Sequence, residues 1–163
     1  MKIVEISKDK RVDDFFISHW GADFIVSGEE RLYGHDLDGF CVADGNEISC
    51  LLTYHVKNGE CEIVSLDSMM RNQGIGTDLI NKMIEKAKDI VGLKRLWLMT
   101  TNDNLDAIRF YQKRGFFLVA IHPNAIEASR KLGQKIPLIG DYGIPIRDEI
   151  EMEYPIESII SKK

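Results

Sequence analysis

Apolar positions in the first 67 residues mostly recur with period two, and helical spacing appears twice after them. Residues 2–6 read as a strand. Residues 9–20 break the alternation: Val12, Phe15, Phe16 and His19 or Trp20 fall near helical spacing, and Gly21 follows as a stop. Residues 24–27 read as a short strand, and the polar stretch 29–38, which contains Gly34, as a loop. Residues 39–43 and 47–56 then form a hairpin about the turn Asp44-Gly45-Asn46. In its second arm Ile48, Cys50, Leu52, Tyr54 and Val56 alternate with Glu47, Ser49, Thr53 and His55, which predicts one buried face. Asn58-Gly59 marks the next turn, and 61–67 is the following strand. The first half is therefore an antiparallel meander.

Residues 77–91 carry Leu79, Ile80, Met83, Ile84, Ala87, Ile90 and Val91 as one apolar stripe, with Gly92 as the stop. Residues 95–101 are almost continuously apolar, as a central strand would be. A strand, a crossover helix and a further strand predict a right-handed parallel pair, 61–67 beside 95–101. Residues 104–114 read as a helix ended by Gly115, and 116–121 as a strand. The chain then changes character. Asn124-x-x-Glu127 predicts a capping box for a short helix through 132. Pro137, Gly140, Gly143 and Pro145 give an irregular loop, and 149–156 is the last strand. A loop as long as the one before it is usually functional or mobile.

Composition narrows the function classes. A chain of 163 residues, read as one domain over 1–163, can bury enough surface to fold without a disulfide or a metal. Cys41, Cys50 and Cys61 are odd in number, lack a C-x-x-C spacing and read as small buried hydrophobes, and no metal-ligand cluster is visible. The net charge of −5 argues against a general nucleic-acid binder and is compatible with a cationic substrate. No apolar run approaches a membrane span, and the first residues alternate as a signal peptide would not. These two readings point to the cytoplasm and away from membranes.

Two motifs carry the chemistry. The first is Arg71-Asn72-Gln73-Gly74-Ile75-Gly76-Thr77, between a strand and a helix. Two glycines let backbone approach a ligand, and the helix N-terminus brings free N–H groups and positive potential to the same place. That combination favours a phosphate or pyrophosphate. The second is Asn104-x-x-Ala107-x-x-Phe110-Tyr111-x-x-x-Gly115-Phe116. In this order the two resemble the GNAT superfamily of acyl-CoA-dependent N-acetyltransferases. The resemblance is sharp over 61–117 and topological elsewhere. It implies a single α/β (α+β) domain with a mixed, mostly antiparallel sheet, splayed between 61–67 and 95–101, with helices on both faces.

The resemblance also implies roles. Arg71, Asn72, Gln73, Gly74, Ile75, Gly76 and Thr77 match the loop that holds the pyrophosphate of acetyl-CoA, largely through backbone N–H groups. Val64 to Leu66 match a bulged strand whose backbone pairs with the pantetheine arm and polarises the thioester carbonyl. Asn104 matches a residue bonding that arm from the other side, and Tyr111 a tyrosine near the sulfur that protonates the leaving thiolate. Each has a plainer reading beside it: Arg71 as a solvated loop residue, Asn104 as a helix N-cap, Tyr111 as core packing.

The base is open between Glu62 and Asp67, set on opposite faces of their strand by period two. His35, His55 and His122 are weaker candidates, His55 being placed on an exposed face. Residues 122–148 depart from a minimal member of the family and suit a wall of the acceptor site, a dimer contact or decoration. Tyr142, Arg147 and Asp141 are their polar groups of interest. The implied reaction is acetyl transfer to a small-molecule primary amine. Protein or peptide acetylation and a catalytically silent acyl-CoA sensor are the alternatives, and relatives of this kind often form homodimers.

Overall fold

The computed structural model describes residues 2–69 and 73–156. The expectations for Arg71 and Asn72 lie outside the described residues. The chain runs β1 (Val4–Ser7), α1 (Arg11–Trp20), β2 (Phe24–Ser27), β3 (Glu30–Tyr33), β4 (Asp38–Asp44), β5 (Glu47–Lys57), β6 (Glu60–Ser68), α2 (Ile75–Lys88), β7 (Arg95–Thr101), α3 (Leu105–Lys113), β8 (Phe117–His122), α4 (Ala125–Lys131) and β9 (Glu149–Tyr154). Seven strands form one sheet in the order β1-β4-β5-β6-β7-β9-β8. Its pairs are antiparallel except β6 with β7.

The sheet separates two cores. On one face α1 lays Val12, Phe15 and Phe16 over Ile6, Cys41, Ile48 and Leu51. On the other, α2 and α3 lay Leu79, Ile80, Met83 and Tyr111 over Cys50, Leu52, Leu96, Leu98 and Met152. Each fully buried large side chain contributes about 1.5–3 kcal/mol, so these two layers, rather than ion pairs, hold the sheet. All three cysteines are buried, and burial pushes the Cys61 thiol up to about 12. Such a thiol is inert packing at neutral pH.

Several elements differ from the sequence reading. Residues 30–33 are a strand, pairing with β2 from Phe24↔Tyr33 to Ser27↔Glu30. Its polar composition concealed it; the Phe24 and Tyr33 rings meet edge to face at 5.7 Å and pin the register. The middle of β5 is buried on both faces, since neighbouring Leu51 and Leu52 are both fully covered, one by each helical layer. Helix α2 stops at Lys88, so Val91 projects into solvent instead of extending the stripe.

No capping box forms at α4. Asn124 takes a left-handed conformation, makes no side-chain cap, and gives its N–H to the Asp148 carboxylate. Helix α3 ends as expected: with Gly115 left-handed, Gly115 N–H bonds Gln112 O and Phe116 N–H bonds Tyr111 O.

Candidate active site

Strands β6 and β7 pair through Glu60↔Arg95, Cys61↔Leu96, Glu62↔Trp97 and Ile63↔Leu98, and there the ladder stops. Beyond it β7 pairs with β9 alone, through Thr101↔Glu149. A bulge coincides with the parting. Opposite β5, Thr53 faces Ser65 and Tyr54 faces Ile63, which leaves Val64 as the surplus residue. The β7-facing edge of 64–68 is therefore open backbone. The cleft so formed holds about 220 Å³ and is lined by Val64, Ser65, Leu66, Met99, Asn104 and Tyr111 among others.

The bulge also resets which side each residue faces. Ser65 hydroxyl meets Thr53 hydroxyl at 2.6 Å, and Asp67 pairs across to Leu51, both on the α1 side. Glu62, opposite His55, faces that side too. Glu62 and Asp67 thus share a face, where strict alternation had set them on opposite ones.

Helix α2 follows β6 in the chain. Gly74 is its N-cap with φ 74°, and an added Cβ would meet nothing within 4 Å, so the approach to this turn is open. The first intrahelical bond is Asp78 N–H to Gly74 O. The N–H groups of Ile75, Gly76 and Thr77 precede that ladder and point out of the helix end. Gly76 has a second reason to be small: a Cβ there would lie 3.4 Å from the Phe110 ring.

The Thr77 hydroxyl accepts from the Arg114 guanidinium at 2.9 and 2.6 Å, and keeps its own proton to donate. Arg114 also stacks on Phe110 at 3.6 Å. Arg114 was not among the residues that the sequence reading placed at this helix start. The signal was its position inside the second motif, directly before Gly115, where it read only as the last helical residue.

Asn104 caps α3, its side-chain oxygen accepting from Ala107 N–H at 3.3 Å, while the residue lines the cleft. Capping leaves the amide N–H₂ to donate. Tyr111 lies in the core between Phe110 and Phe116 and reaches the cleft wall. Burial first, and the Asp67 carboxylate second, push its phenol well above the ordinary range, so it stays protonated at neutral pH.

Next to the cleft lies a chamber of about 110 Å³, sharing Val64, Met99, Thr100, Thr101 and Gln134 with it. Glu62 lines it, 6% exposed, with both carboxylate oxygens accepting from Ser27 hydroxyl at 2.8 Å. His55 is half-buried rather than exposed, its Nε2 3.4 Å from Glu62. Glu149 lines the same chamber. Its carboxyl is raised above the ordinary value, first by burial and then by Glu62. Sequence reasoning passed over Glu149, because it reads as the polar start of an alternating strand.

Asp67 lines neither space. It caps its neighbour Ser68 N–H and sits 3.9 Å from His19 Nε2. His35 pairs with Asp13, and His122 with Glu151, both outside these two spaces. From 122–148, Ile126, Ser129, Gln134 and Ile136 wall the chamber. The polar groups singled out there do other work: Tyr142 hydroxyl donates to Asp106, Arg147 pairs with Asp148, and Asp141 N–H bonds Asp103. Among the described residues no helix is long and apolar enough to cross a membrane, and no group of three or more His, Cys, Asp or Glu could hold a metal ion.

This geometry, a bulged strand that parts from its parallel neighbour and is followed by a helix capped by a left-handed glycine, defines a class. The chain belongs to the acetyltransferase (GNAT) family, whose model matches residues 9–116. It is 46% identical over 147 residues to the uncharacterized protein YdhI of Bacillus subtilis (strain 168), covering 90% of this chain and 91% of that one. A GNAT family acetyltransferase from Elizabethkingia anophelis, solved with acetyl-CoA bound, shares 27% identity and a TM-score of 0.61 over 72% of this chain and 75% of its own. The ribosomal-protein-S18-alanine N-acetyltransferase of Escherichia coli shares the fold, with a TM-score of 0.64 at 19% identity over 95% and 93% of the two chains.

Proposed function

We propose that this protein transfers the acetyl group of acetyl-CoA to a primary amine of a small molecule, by direct attack within a ternary complex. One observation carries the reading: the β6 edge opens at Val64 in a cleft that Tyr111 also lines, and the next helix, α2, starts with free N–H groups. The residues present fit the co-substrate. Ile75, Gly76 and Thr77 offer N–H donors to a diphosphate, with Gln73 and Gly74 forming the turn. In the same reading Arg71 and Asn72 complete that loop. The open edge from Val64 to Leu66 offers a partner strand for the amide-bearing arm, and Asn104 donates from the opposite wall.

The acceptor arrives as an ammonium and must lose a proton to become a nucleophile. Glu62, buried and held by Ser27, takes it. Asp67 lines neither the cleft nor the chamber, so Glu62 is the better base. The amine nitrogen then bonds the thioester carbon, and strand N–H groups stabilise the oxyanion. As the C–S bond breaks, Tyr111 gives its proton to the thiolate, and the nitrogen's surplus proton restores the phenol. The net proton leaves through Glu62.

An amine panel followed by free-thiol release from acetyl-CoA tests the reading. Tyr111→Phe should lower kcat by about 10²–10⁴-fold, as loss of a general acid does, with acetyl-CoA affinity retained. Equal kcat in the two proteins removes the role given to Tyr111. Affinity for acetyl-CoA without thiol release, whatever the amine, marks a sensor instead of an enzyme.

A further inference from the structure

The chamber beside the thioester position has an uneven charge. Two carboxylates face it, Glu62 and Glu149, and no lysine or arginine is among its described lining residues. The imidazole of His55 touches Glu62 from an outer cavity that also holds Glu29, Glu30, Lys57 and Glu60. There Glu30 pairs with Lys57, and Glu60 with Arg95. Ser27 satisfies Glu62, but its hydroxyl brings no charge. Buried charges are normally paired, and two like charges in one small space are costly unless a cation lies between them. The remaining lining is apolar or neutral, and includes Ile126, Ser129 and Ile136. Because the chamber shares Val64 with the cleft, a nitrogen held there lies next to the strand bulge.

We infer that Glu149 and Glu62 together hold the acceptor's ammonium group in this chamber, and that the acceptor is a compact primary amine with no carboxylate beside its nitrogen. The inference rests on the proposed acetyl transfer. An α-amino acid would bring a third negative charge into the space, which the existing pair repels. Glu149 is a binding residue in this scheme; the proton goes to Glu62.

Matched acceptors test it, each an α-amino acid beside the amine left when its carboxyl is removed: tyrosine and tyramine, histidine and histamine, lysine and cadaverine. In a thiol-release assay at saturating acetyl-CoA, the decarboxylated member of at least one pair should exceed its amino acid by at least about tenfold in kcat/KM. Glu149→Gln should raise KM for the preferred amine about tenfold, with kcat falling less than about threefold. Glu149→Asp, which keeps the charge on a shorter arm, should fall between. Melting curves establish that each variant is folded. Equal kcat/KM within every pair, or an unchanged KM in folded Glu149→Gln, overturns the inference and leaves acetyl transfer standing. Absence of thiol release with every acceptor overturns both.

Discussion

Glu149 sits where its charge is unwelcome, and that has a signature in stability. Its folded carboxyl is raised above the ordinary value of 4.5 by burial and by Glu62. A raised acid binds its proton more tightly folded than unfolded. Its contribution is therefore present below about pH 4.5 and is lost as pH rises through the folded value. Glu149→Gln removes this loss. Thermal melts from pH 4 to 8 should show the wild type falling behind the variant as pH rises, with the gap closed at the acid end. A variant less stable than wild type at pH 7 would contradict this. Single residues were unequally legible. Tyr111 announced its burial through helical spacing, and Asn104 its cap through position. Glu149 and Glu62 are far apart in the chain, and their meeting depends on β7 and β9 being neighbours, which no local pattern encodes.

At the scale of elements, the strands with strong alternation or continuous apolar runs were readable, and β7 came out with its predicted bounds. The short β3 was missed because a four-residue polar strand has no period to detect. The bulge in β6 was expected through resemblance, yet its effect on facing was not. One surplus residue shifts the alternation after it, so Glu62 and Asp67 ended on the same side. Close backbone approach was also invisible. At Gly39 an added Cβ would lie 2.3 Å from Leu52 O, across the β4–β5 ladder. Gly39→Ala should cost about 3 kcal/mol, as overpacking against rigid backbone does. Urea unfolding should show a lower midpoint at unchanged slope; an unchanged midpoint would mean the strands part without penalty.

For the whole molecule, the proposed site couples the sheet's opening to the co-substrate. A ligand that binds the folded form alone at 100 times its Kd stabilises by about 2.7 kcal/mol. For a chain of this size that is a rise in Tm of roughly 5–11 °C. Acetyl-CoA should give such a rise by scanning fluorimetry. Gly74→Val, which places a β-branched residue at a left-handed position in the turn proposed to hold the diphosphate, should abolish it. A full shift in that variant would remove the loop from the binding site. The order of elements and the two-faced core were legible because each helix carries one apolar stripe. The last strand's insertion between β7 and β8 was not, since adjacency in a sheet is set by packing over the whole chain.

That insertion carries its own consequence. His122 and Glu149 are paired neighbours, so the chain leaves the sheet and re-enters it at one spot. Whatever is spliced into that gap, long or short, spares the hydrogen-bonded framework. If the chamber walled by 126–136 takes the acceptor, as proposed, its preference can drift by lengthening, trimming or exchanging a single excursion, while the strands that would grip the donor stay untouched.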